Sequence, residues 1–584
     1  MMRVRAIAAA VQSGQRSAVS VAEEALTRTA AYDALQPEVW IARVAPARVL
    51  EAARGVDARI AAGEKLALAG VPFAVKDNLD VVGMPTTAAC PRAAYTPTQS
   101  STVVARLLEA GAVLIGKTNL DQFATGLVGV RSPFGAPGCV FNRDYISGGS
   151  SSGSSVAVAA GLVPFALGTD TAGSGRVPAA FNALTGFKPT KGRWSTSGLL
   201  PACRSLDVVT VFTQGAADAA LIDLVVAGLD EIDPFSRAPR PGVKIGAAFR
   251  LGVPDKPLEF FGDVESAALF EASVETMRKL GAELVPVDIA PLIECASLLY
   301  QGPWVAERTA AIKALSLDAA TMHPIVRKIV EGGEKYSAVD AFEGLYKLKR
   351  YERAAQAMWR AIDVLLLPTA PTIYKISDVI ADPLALNANL GRYTNFVNLL
   401  DMSAIALPAG FRANNTGFGV TLIAPAWADG AVLSLAARYE EKFPMTDKPP
   451  LDEKPRTAIT LAVVGAHLQG MPLHHQLSSR SARFLGAAKT APNYRLYAMA
   501  NSTPPKPALA FDEAGASIDL ELYELGLAEF GSFTAEVPPP LAIGTVTLDN
   551  GRQVKGFVAE PRALKGAEDI TSFGGWRAFI AAKK

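Results

Sequence analysis

Short runs of uninterrupted apolar residues, each bounded by turn residues, are the feature that most restricts the fold of this chain. Four of them are GVPFAV (70–75), GAVLIG (111–116), FALGT (165–169) and VLLLPT (364–369). A strand with one face in water would alternate apolar and polar residues, and these runs do not. They predict strands that are buried on both faces.

Segments with helical periodicity separate these runs. Four of them lie at about 45–62, 102–110, 264–280 and 339–365. An earlier helix is predicted to begin at Ser20, with Glu23 completing a capping box. Helices that alternate with short apolar strands indicate an α/β fold in which helices surround a mixed central sheet.

The composition changes near residue 441. The segment 441–456 contains four prolines and eight charged side chains, which is typical of a linker between domains. Strand-like stretches follow it, among them LAVVGAHL, YRLYAM, ALAF and FIAA, and Asn550-Gly551 predicts a hairpin turn. We therefore expect a large domain at 1–440, a linker at 441–457 and a smaller β-rich domain at 458–584.

The charge balance excludes some classes of partner. The 584 residues include 57 Lys and Arg against 56 Asp and Glu, so nothing favours a nucleic acid or an anionic membrane as partner. No apolar stretch reaches about 18 residues, the length of a membrane span, and the N-terminal apolar run is too short for an export signal. We expect a cytoplasmic enzyme.

The cysteines and histidines give no metal site. The four cysteines are far apart in the sequence and have no histidine at ligand spacing. A zinc site or a disulfide framework would need closer pairs. Reduced thiols are therefore expected.

One string of residues imitates a nucleotide-binding loop. Residues 111–118 fit G-x-x-x-x-G-K-[ST], but the four variable residues are Ala, Val, Leu and Ile, which favour a strand. A phosphate-binding loop instead follows its strand and presents backbone N–H groups to the phosphates. We predict a buried strand with Lys117 at its exit, and ATP binding is the minor alternative.

Two segments rich in glycine and serine adjoin apolar runs and should be packed loops. They lie at 147–155 and 168–178, and no histidine is near either in the sequence. A serine nucleophile needs a base, and a lysine can serve where burial lowers its pKa from about 10.4 towards neutrality. Lys76, at the end of the first apolar run, is the candidate. The alternative is an exposed lysine at a strand end.

Together these residues resemble the amidase-signature hydrolases. The family pattern has a lysine in V-K-D-N, a serine after Gly-Gly and a second serine in G-T-D-x-x-G-S. Lys76, Ser150 and Ser174 match it, with Ser150 74 residues after Lys76 and 24 residues before Ser174. The resemblance extends over roughly residues 15–440 and also covers the string that contains Lys117.

The resemblance implies an amidase-signature fold and a Ser-cisSer-Lys triad that needs no metal or organic cofactor. Ser174 would be the nucleophile, Ser150 the bridging serine after a cis peptide bond, and Lys76 the buried base. The oxyanion would be bound by backbone N–H groups of the loop that carries the nucleophile, those of Thr171, Ala172, Gly173 and Ser174.

Two further features are similar to the allophanate hydrolases, a group within that family that acts on urea-1-carboxylate. In that group a Tyr and an Arg eight residues apart hold the substrate carboxylate, and Tyr300 and Arg308 match them. The planar Arg fork is a natural partner for a carboxylate. The alternative is a surface arginine paired with Glu307 or with solvent.

The segment after the linker resembles the C-terminal domain of the same group, which has a γ-glutamyl-cyclotransferase-like fold. The resemblance implies that this domain decarboxylates the product. His467 and His475 are the candidate residues, and structural histidines are the alternative.

The resemblance also implies a small-molecule substrate, allophanate, a homodimer, and a functional link to a urea carboxylase or a biuret-hydrolysing enzyme. Three other interpretations stay open. The chain could be a general amidase or amidotransferase-type enzyme acting on another amide, a nucleotide-binding switch that uses Lys117, or a scaffold without catalytic activity.

Overall fold

The structure is a computed structural model that describes residues 3–454, 458–480, 482–500 and 502–583. The chain divides into two compact units. The first comprises the chain up to Val130, Ala136–Leu317 and Lys328–Lys454. The second comprises Arg131–Gly135, Asp318–Arg327 and the chain beyond Lys454.

The first unit is built on a mixed sheet of eleven strands in the order β1-β3-β2-β6-β8-β7-β12-β13-β11-β9-β10, and two further strands pair with each other. The strands are β1 (Trp40–Arg43), β2 (Pro72–Lys76), β3 (Val113–Thr118), β4 (Gly138–Cys139), β5 (Asn142–Ile146), β6 (Phe165–Asp170), β7 (Thr185–Lys188), β8 (Val208–Thr213), β9 (Phe249–Pro254), β10 (Ala282–Val287), β11 (Val364–Pro368), β12 (Met402–Phe411) and β13 (Gly417–Pro425).

Helices accompany this sheet along the chain. They are α1 (Val4–Gln12), α2 (Ala18–Tyr32), α3 (Pro46–Ala61), α4 (Thr102–Glu109), α5 (Ser152–Ala159), α6 (Val177–Phe181), α7 (Ala216–Val226), α8 (Val264–Lys279), α9 (Ala290–Gln301), α10 (Trp304–Lys313), α11 (Pro324–Glu331), α12 (Ala338–Ala361), α13 (Ile376–Ala381), α14 (Ala385–Leu390), α15 (Phe396–Leu399) and α16 (Asp429–Lys442). Of these, α11 runs from the second unit into the first.

The central strands are buried on both faces. On β11, Val364 and Leu366 belong to one apolar core, whereas Leu365 and Leu367 belong to another. Successive side chains of a strand point to opposite faces, so the two cores lie on the two sides of the sheet. This explains why the strands read as continuous apolar runs, and it confirms the predicted α/β class.

Each of the four apolar runs forms a strand, namely β2, β3, β6 and β11. Two details of the prediction are wrong. The first predicted helix, α2, begins at Ala18 and is capped by the Ser17 side chain, which accepts the N–H of Ser20, so Ser20 lies inside the helix. Lys117 lies within β3 instead of at its exit.

The second unit is mostly β-structure, as predicted. Its elements are β14 (Ala458–Val463), α17 (His475–Ser478), β15 (Arg483–Lys489), β16 (Tyr494–Ala498), β17 (Pro507–Phe511), β18 (Asp519–Gly526), α18 (Leu527–Ala535), β19 (Leu541–Thr547), β20 (Gln553–Ala559), β21 (Glu568–Asp569) and α19 (Trp576–Ala582). Five strands form one sheet in the order β15-β18-β14-β20-β19, and β17, β16 and β21 form another.

The hairpin at Asn550-Gly551 is confirmed, because β19 and β20 pair antiparallel across it and Gly551 has a φ of 80°. The strand predicted at FIAA is wrong. These residues lie in α19, where Trp576 and Phe579 are three residues apart and both buried, a spacing that suits a helix. No helix in the described ranges is long and apolar enough to cross a membrane.

Candidate active site

Lys76 is the last residue of β2, a strand that lies between β3 and β6 and is parallel to both. Its side chain is fully buried, and Nζ donates hydrogen bonds of 2.7 Å to Ser150 Oγ and to Thr169 Oγ1. Burial lowers the pKa of Lys76 to about 7, against the opposing effect of nearby carboxylates. Lys76 is therefore a buried amine that can exchange a proton near neutral pH, and the exposed alternative is excluded.

Ser150 lies between β5 and α5, and the Gly149–Ser150 peptide bond is cis. Asp121 fixes this segment: its backbone N–H donates to the Ser150 carbonyl, and its carboxylate accepts the N–H groups of Val128 and Gly129. A Cβ on residue 149 would overlap that carboxylate and the nitrogen of Gly129. The position therefore requires glycine because the backbone passes directly against Asp121.

Ser174 lies in the loop after β6, which is held by the buried carboxylate of Asp170. This carboxylate accepts the N–H groups of Gly173 and Gly175 and forms two hydrogen bonds, of 2.9 and 3.0 Å, with the guanidinium of Arg176. Burial would raise the pKa of Asp170, but the charge of Arg176 holds it below its usual value. The loop thus keeps a charged anchor at its base.

The hydroxyl of Ser174 is buried and donates a long hydrogen bond, 3.5 Å, to the carbonyl of Gly126. Within the described part of the chain, Ser174 Oγ has no other hydrogen bond, so the bond to Ser150 Oγ that a proton relay needs is not formed here. A rotation about the Cα–Cβ bond of Ser174 is the movement that would redirect this hydroxyl.

The predicted oxyanion donors are not equivalent. The N–H of Gly173 donates to Asp170 at 2.8 Å, so this group already has an acceptor inside the loop. Among the described residues, no acceptor lies opposite the N–H groups of Thr171, Ala172 and Ser174. These three backbone donors are the ones available to bind an anion.

Asp207 is a site residue that the sequence reasoning missed. Its buried carboxylate accepts the Thr171 hydroxyl and the backbone N–H groups of Ala202 and Cys203, and burial raises its pKa to about 6. Asp207 reaches Thr171 because β6 and β8 are antiparallel with Asp170 paired to Val208, which places the two residues just beyond the same end of the pair. No short motif in the sequence signals this contact.

Arg308, on α10, is buried, and its guanidinium lies 5.7 Å from the centre of the half-buried Tyr300 ring on α9. Its Nη1 donates to Thr125 Oγ1 at 2.8 Å, whereas Nη2 has no hydrogen-bond partner among the described residues. Thr125 immediately precedes Gly126, whose carbonyl accepts the Ser174 hydroxyl. The structure thus brings Arg308 and Ser174 to the same site.

The alternative of a surface arginine paired with Glu307 is excluded. Glu307 accepts hydrogen bonds of 2.7 Å from the backbone N–H and the hydroxyl of Ser205 instead. An unpaired donor on a buried cation is costly, so a buried Arg308 with an open Nη2 indicates a missing anionic or polar partner.

Lys117 has a structural environment. Its Nζ lies 2.8 Å from Asp77 Oδ1 and donates to Thr86 Oγ1 and to the Pro85 carbonyl at 2.8 and 2.9 Å. All three ammonium protons are therefore used inside the protein. The string that imitates a nucleotide-binding loop is a buried strand whose lysine is paired with Asp77.

The two histidines predicted for the smaller domain differ in their surroundings. His467 stacks on Phe557 at 5.0 Å and accepts or donates a 2.7 Å hydrogen bond with Gln476, and burial lowers its pKa to about 4. His475 is exposed and contacts the Pro472 carbonyl through Nδ1. The structure therefore does not bring these two rings together in one titrating pair.

A cavity of about 510 Å³ in the second unit is lined by neither histidine. Its charged lining residues, which the sequence reasoning missed, are Lys489, Asp519, Glu521, Asp549 and Arg577. Two pairs of these charges neutralise each other, Lys489 with Asp519 at 3.1 Å and Arg577 with Glu521 at 2.7 Å. Across the described ranges, no group of three or more His, Cys, Asp or Glu side chains could hold a metal ion.

Comparison with known proteins gives the family. The amidase family model matches residues 22–433, and the model of the allophanate hydrolase C-terminal domain matches residues 459–581. The solved structure of Kluyveromyces lactis allophanate hydrolase is 40% identical, with a TM-score of 0.71, and the match covers 98% of each chain.

Curated relatives agree. The urea amidolyase of Saccharomyces cerevisiae is 44% identical over 551 residues, which is 89% of this chain but 30% of that protein, so the chain spans about a third of its length. A subunit of the glutamyl-tRNA(Gln) amidotransferase of Gloeobacter violaceus is 36% identical over 74% of this chain and 94% of its own length. The chain belongs to the amidase-signature family and carries an allophanate hydrolase C-terminal domain.

Proposed function

We propose that this protein hydrolyses allophanate with the triad Ser174, Ser150 and Lys76. The observation that carries the proposal is the buried guanidinium of Arg308, which has an open Nη2 and is linked through Thr125 and Gly126 to the hydroxyl of Ser174. A small substrate with a carboxylate at one end and an amide at the other suits such a site, because Arg308 would hold the first while Ser174 attacks the second.

In the first step, Ser174 Oγ attacks the carbonyl carbon of the terminal carboxamide. Its proton passes through the Ser150 hydroxyl to the neutral amine of Lys76, which is 2.7 Å from Ser150 Oγ. The N–H groups of Thr171, Ala172 and Ser174 bind the oxyanion that forms. The C–N bond then breaks, and the proton returns along the same path to the departing ammonia.

Water completes the reaction. It attacks the acyl carbon bound to Ser174 Oγ, gives a proton to the relay, and releases an N-carboxylated carbamate while the serine regains its proton. The Arg308 guanidinium and the Tyr300 ring hold the distal carboxylate through both steps. The hydroxyl of Ser174 turns from Gly126 towards Ser150 when substrate enters.

For the smaller domain we propose the boundaries 1–440, 441–457 and 458–584 and a role in decarboxylating this product, with His467 and His475 as candidate residues. The match to the allophanate hydrolase C-terminal domain and the change of compact unit after Lys454 support this part. The enzyme would act as a homodimer in the cytoplasm, with a urea carboxylase or a biuret-hydrolysing enzyme supplying its substrate.

A general amidase or amidotransferase-type enzyme is the second candidate. The 36% identity to the Gloeobacter violaceus amidotransferase protein, over 94% of its length, favours it. Such enzymes need the same nucleophile and base, so the triad does not decide between the two candidates. The cation at Arg308 does.

The deciding experiment measures ammonia release from allophanate and from neutral amides with wild-type protein, Arg308→Gln and Arg308→Lys. Loss of one partner of a buried charged pair costs about 2–5 kcal/mol, or roughly 30- to several-thousand-fold in kcat/KM. Arg308→Gln should lose this much with allophanate, and Arg308→Lys should recover little because an ammonium lacks the planar fork. Malonate should inhibit the wild type competitively and Arg308→Gln much less.

Preference of the wild type for neutral amides would reassign the chain to the general amidases. So would allophanate turnover by Arg308→Gln within about threefold of wild type.

A further inference from the structure

The outward face of α12 carries an apolar stripe that no other part of the described chain covers. Val339, Phe342, Leu345 and Tyr346 are 66%, 59%, 47% and 61% exposed. The opposite face of the same helix is anchored by the buried residues Gly344, Leu348 and Ala355. Val339, Phe342 and Tyr346 follow the i, i+3, i+7 spacing that places side chains on one side of a helix.

Such a stripe is unusual on a monomer. Single exposed apolar residues are common, but four large ones within eight residues, two of them aromatic, form a contiguous patch of the kind found at protein interfaces. Aromatic side chains are also the residue type that most often carries binding energy in an interface.

The charges beside the stripe are arranged by sign. Asp340 and Glu343 lie towards its N-terminal end, and Lys347, Lys349 and Arg350 towards its C-terminal end; all five are exposed. A two-fold axis brings the same patch of two copies together, so two antiparallel helices that cross at this stripe would place each acidic end against the basic end of the other. A patch that is complementary to itself favours a second copy of the chain over an unrelated partner.

We propose that the stripe Val339, Phe342, Leu345 and Tyr346 is the isologous interface through which two copies of this protein associate. Phe342 and Tyr346 pack across the two-fold axis, and Glu343 of each copy pairs with Lys347 of the other. The stripe spans about 10 Å of helix, so neighbouring surface completes the roughly 800 Å² per partner that a stable interface needs.

The first test replaces the two aromatic residues in the full-length protein, as Phe342→Glu/Tyr346→Glu, and measures mass by sedimentation equilibrium between about 0.1 and 50 µM. Wild type should have twice the chain mass of 61.2 kDa. The double variant should have the mass of one chain, with a dimer dissociation constant raised at least about 100-fold. Both positions are exposed, so the fold should be retained, which circular dichroism checks.

The matched control is Leu224→Glu, which makes the same kind of change at a 78% exposed residue on α7. This variant should remain a dimer. A wild-type protein that is monomeric at 50 µM, including one that binds lipid vesicles through this face, would overturn the proposal. So would a double variant that stays dimeric.

A charge exchange tests the register. Glu343→Lys and Lys347→Glu should each weaken the dimer by about three- to tenfold, and the combination should restore it. The two residues can also pair within one helix, so thermal unfolding of the monomeric Phe342→Glu/Tyr346→Glu background with the same changes separates the two effects. Ammonia release is measured on every sample, so a failed interface leaves the proposed activity to be judged on its own.

Discussion

The amidase site of the first unit and the histidine cluster of the second unit show two different uses of buried ionisable groups. Around Lys76, each buried charge or hydroxyl meets another polar group that lies far away in the sequence, such as Ser150 or Asp170. Around His467, the neighbours are the rings of Phe533 and Phe557 and one amide. Burial lowers the pKa in both places, but only the first arrangement offers a path for a proton.

A shifted pKa alone therefore does not identify a catalytic group. Lys188 makes the point within the first unit: it is fully buried, and burial lowers its pKa to about 7, as for Lys76. Its Nζ donates to the neighbouring Pro189 carbonyl, whereas that of Lys76 donates to a serine hydroxyl. Contact with a group that can relay the proton separates the two lysines.

The largest effect should come from breaking the triad. Ser174→Ala and Lys76→Met should each reduce kcat for ammonia release by at least about 10³-fold, because the members of such a triad act as a unit. Lys188→Met is the matched control, a second buried lysine of similar pKa, and should stay within about tenfold of wild type. A Lys188→Met loss as large as that of Lys76→Met would mean that buried charge, and not contact with Ser150, decides activity.

A smaller loss is expected when the support of the oxyanion loop is weakened. Asp207→Asn removes a carboxylate that accepts the Thr171 hydroxyl and two backbone N–H groups. The position of the Thr171 N–H should then be less well fixed, so kcat should fall about 10- to 100-fold while KM changes less than threefold.

The control for this change is Asp223→Asn, at a buried aspartate that accepts from Arg193 and Trp194, away from the triad. It should leave kcat within about threefold. If Asp207→Asn raised KM and left kcat unchanged, Asp207 would act on substrate binding instead of on the oxyanion loop.

The pH dependence should follow Lys76. Its pKa of about 7 lies below that of an ordinary lysine, so the neutral base is present above pH 7 and lost as the pH falls through 7. On the acid side, kcat/KM for allophanate should fall about tenfold per pH unit, and this limb should be unchanged in Lys188→Met. A profile that is flat from pH 5 to 8 would contradict a neutral Lys76 as the base.

The smallest effect on the amidase step is expected in the histidine cluster. His467→Phe keeps an aromatic ring against Phe533 and Phe557 but loses the Gln476 hydrogen bond, which should cost about 1 kcal/mol of unfolding free energy. Initial ammonia release should stay within about twofold. Carbon dioxide release, measured in parallel, should slow if His467 decarboxylates the product, and an unchanged rate would assign it a structural role, with His475→Ala as the companion variant.

Local pattern was sufficient for much of the fold and part of the site. The four continuous apolar runs predicted β2, β3, β6 and β11, because a strand buried on both faces needs apolar residues at every position. The same logic placed Lys76 at the end of a buried strand and identified the two glycine- and serine-rich segments as packed loops. It failed at FIAA, where a short apolar run fits a helix turn as well as a strand.

Only the tertiary structure decided which distant groups meet. Asp207 reaches Thr171 through the register of β6 with β8, and Arg308 reaches the Ser174 loop through Thr125, 183 residues away in the sequence. The sequence alone could not show that the Gly173 N–H is occupied by Asp170 or that His467 packs between aromatic rings. The physical reason is that burial and periodicity act over a few residues of one chain segment, whereas strand register and helix packing determine hydrogen-bond partners across hundreds.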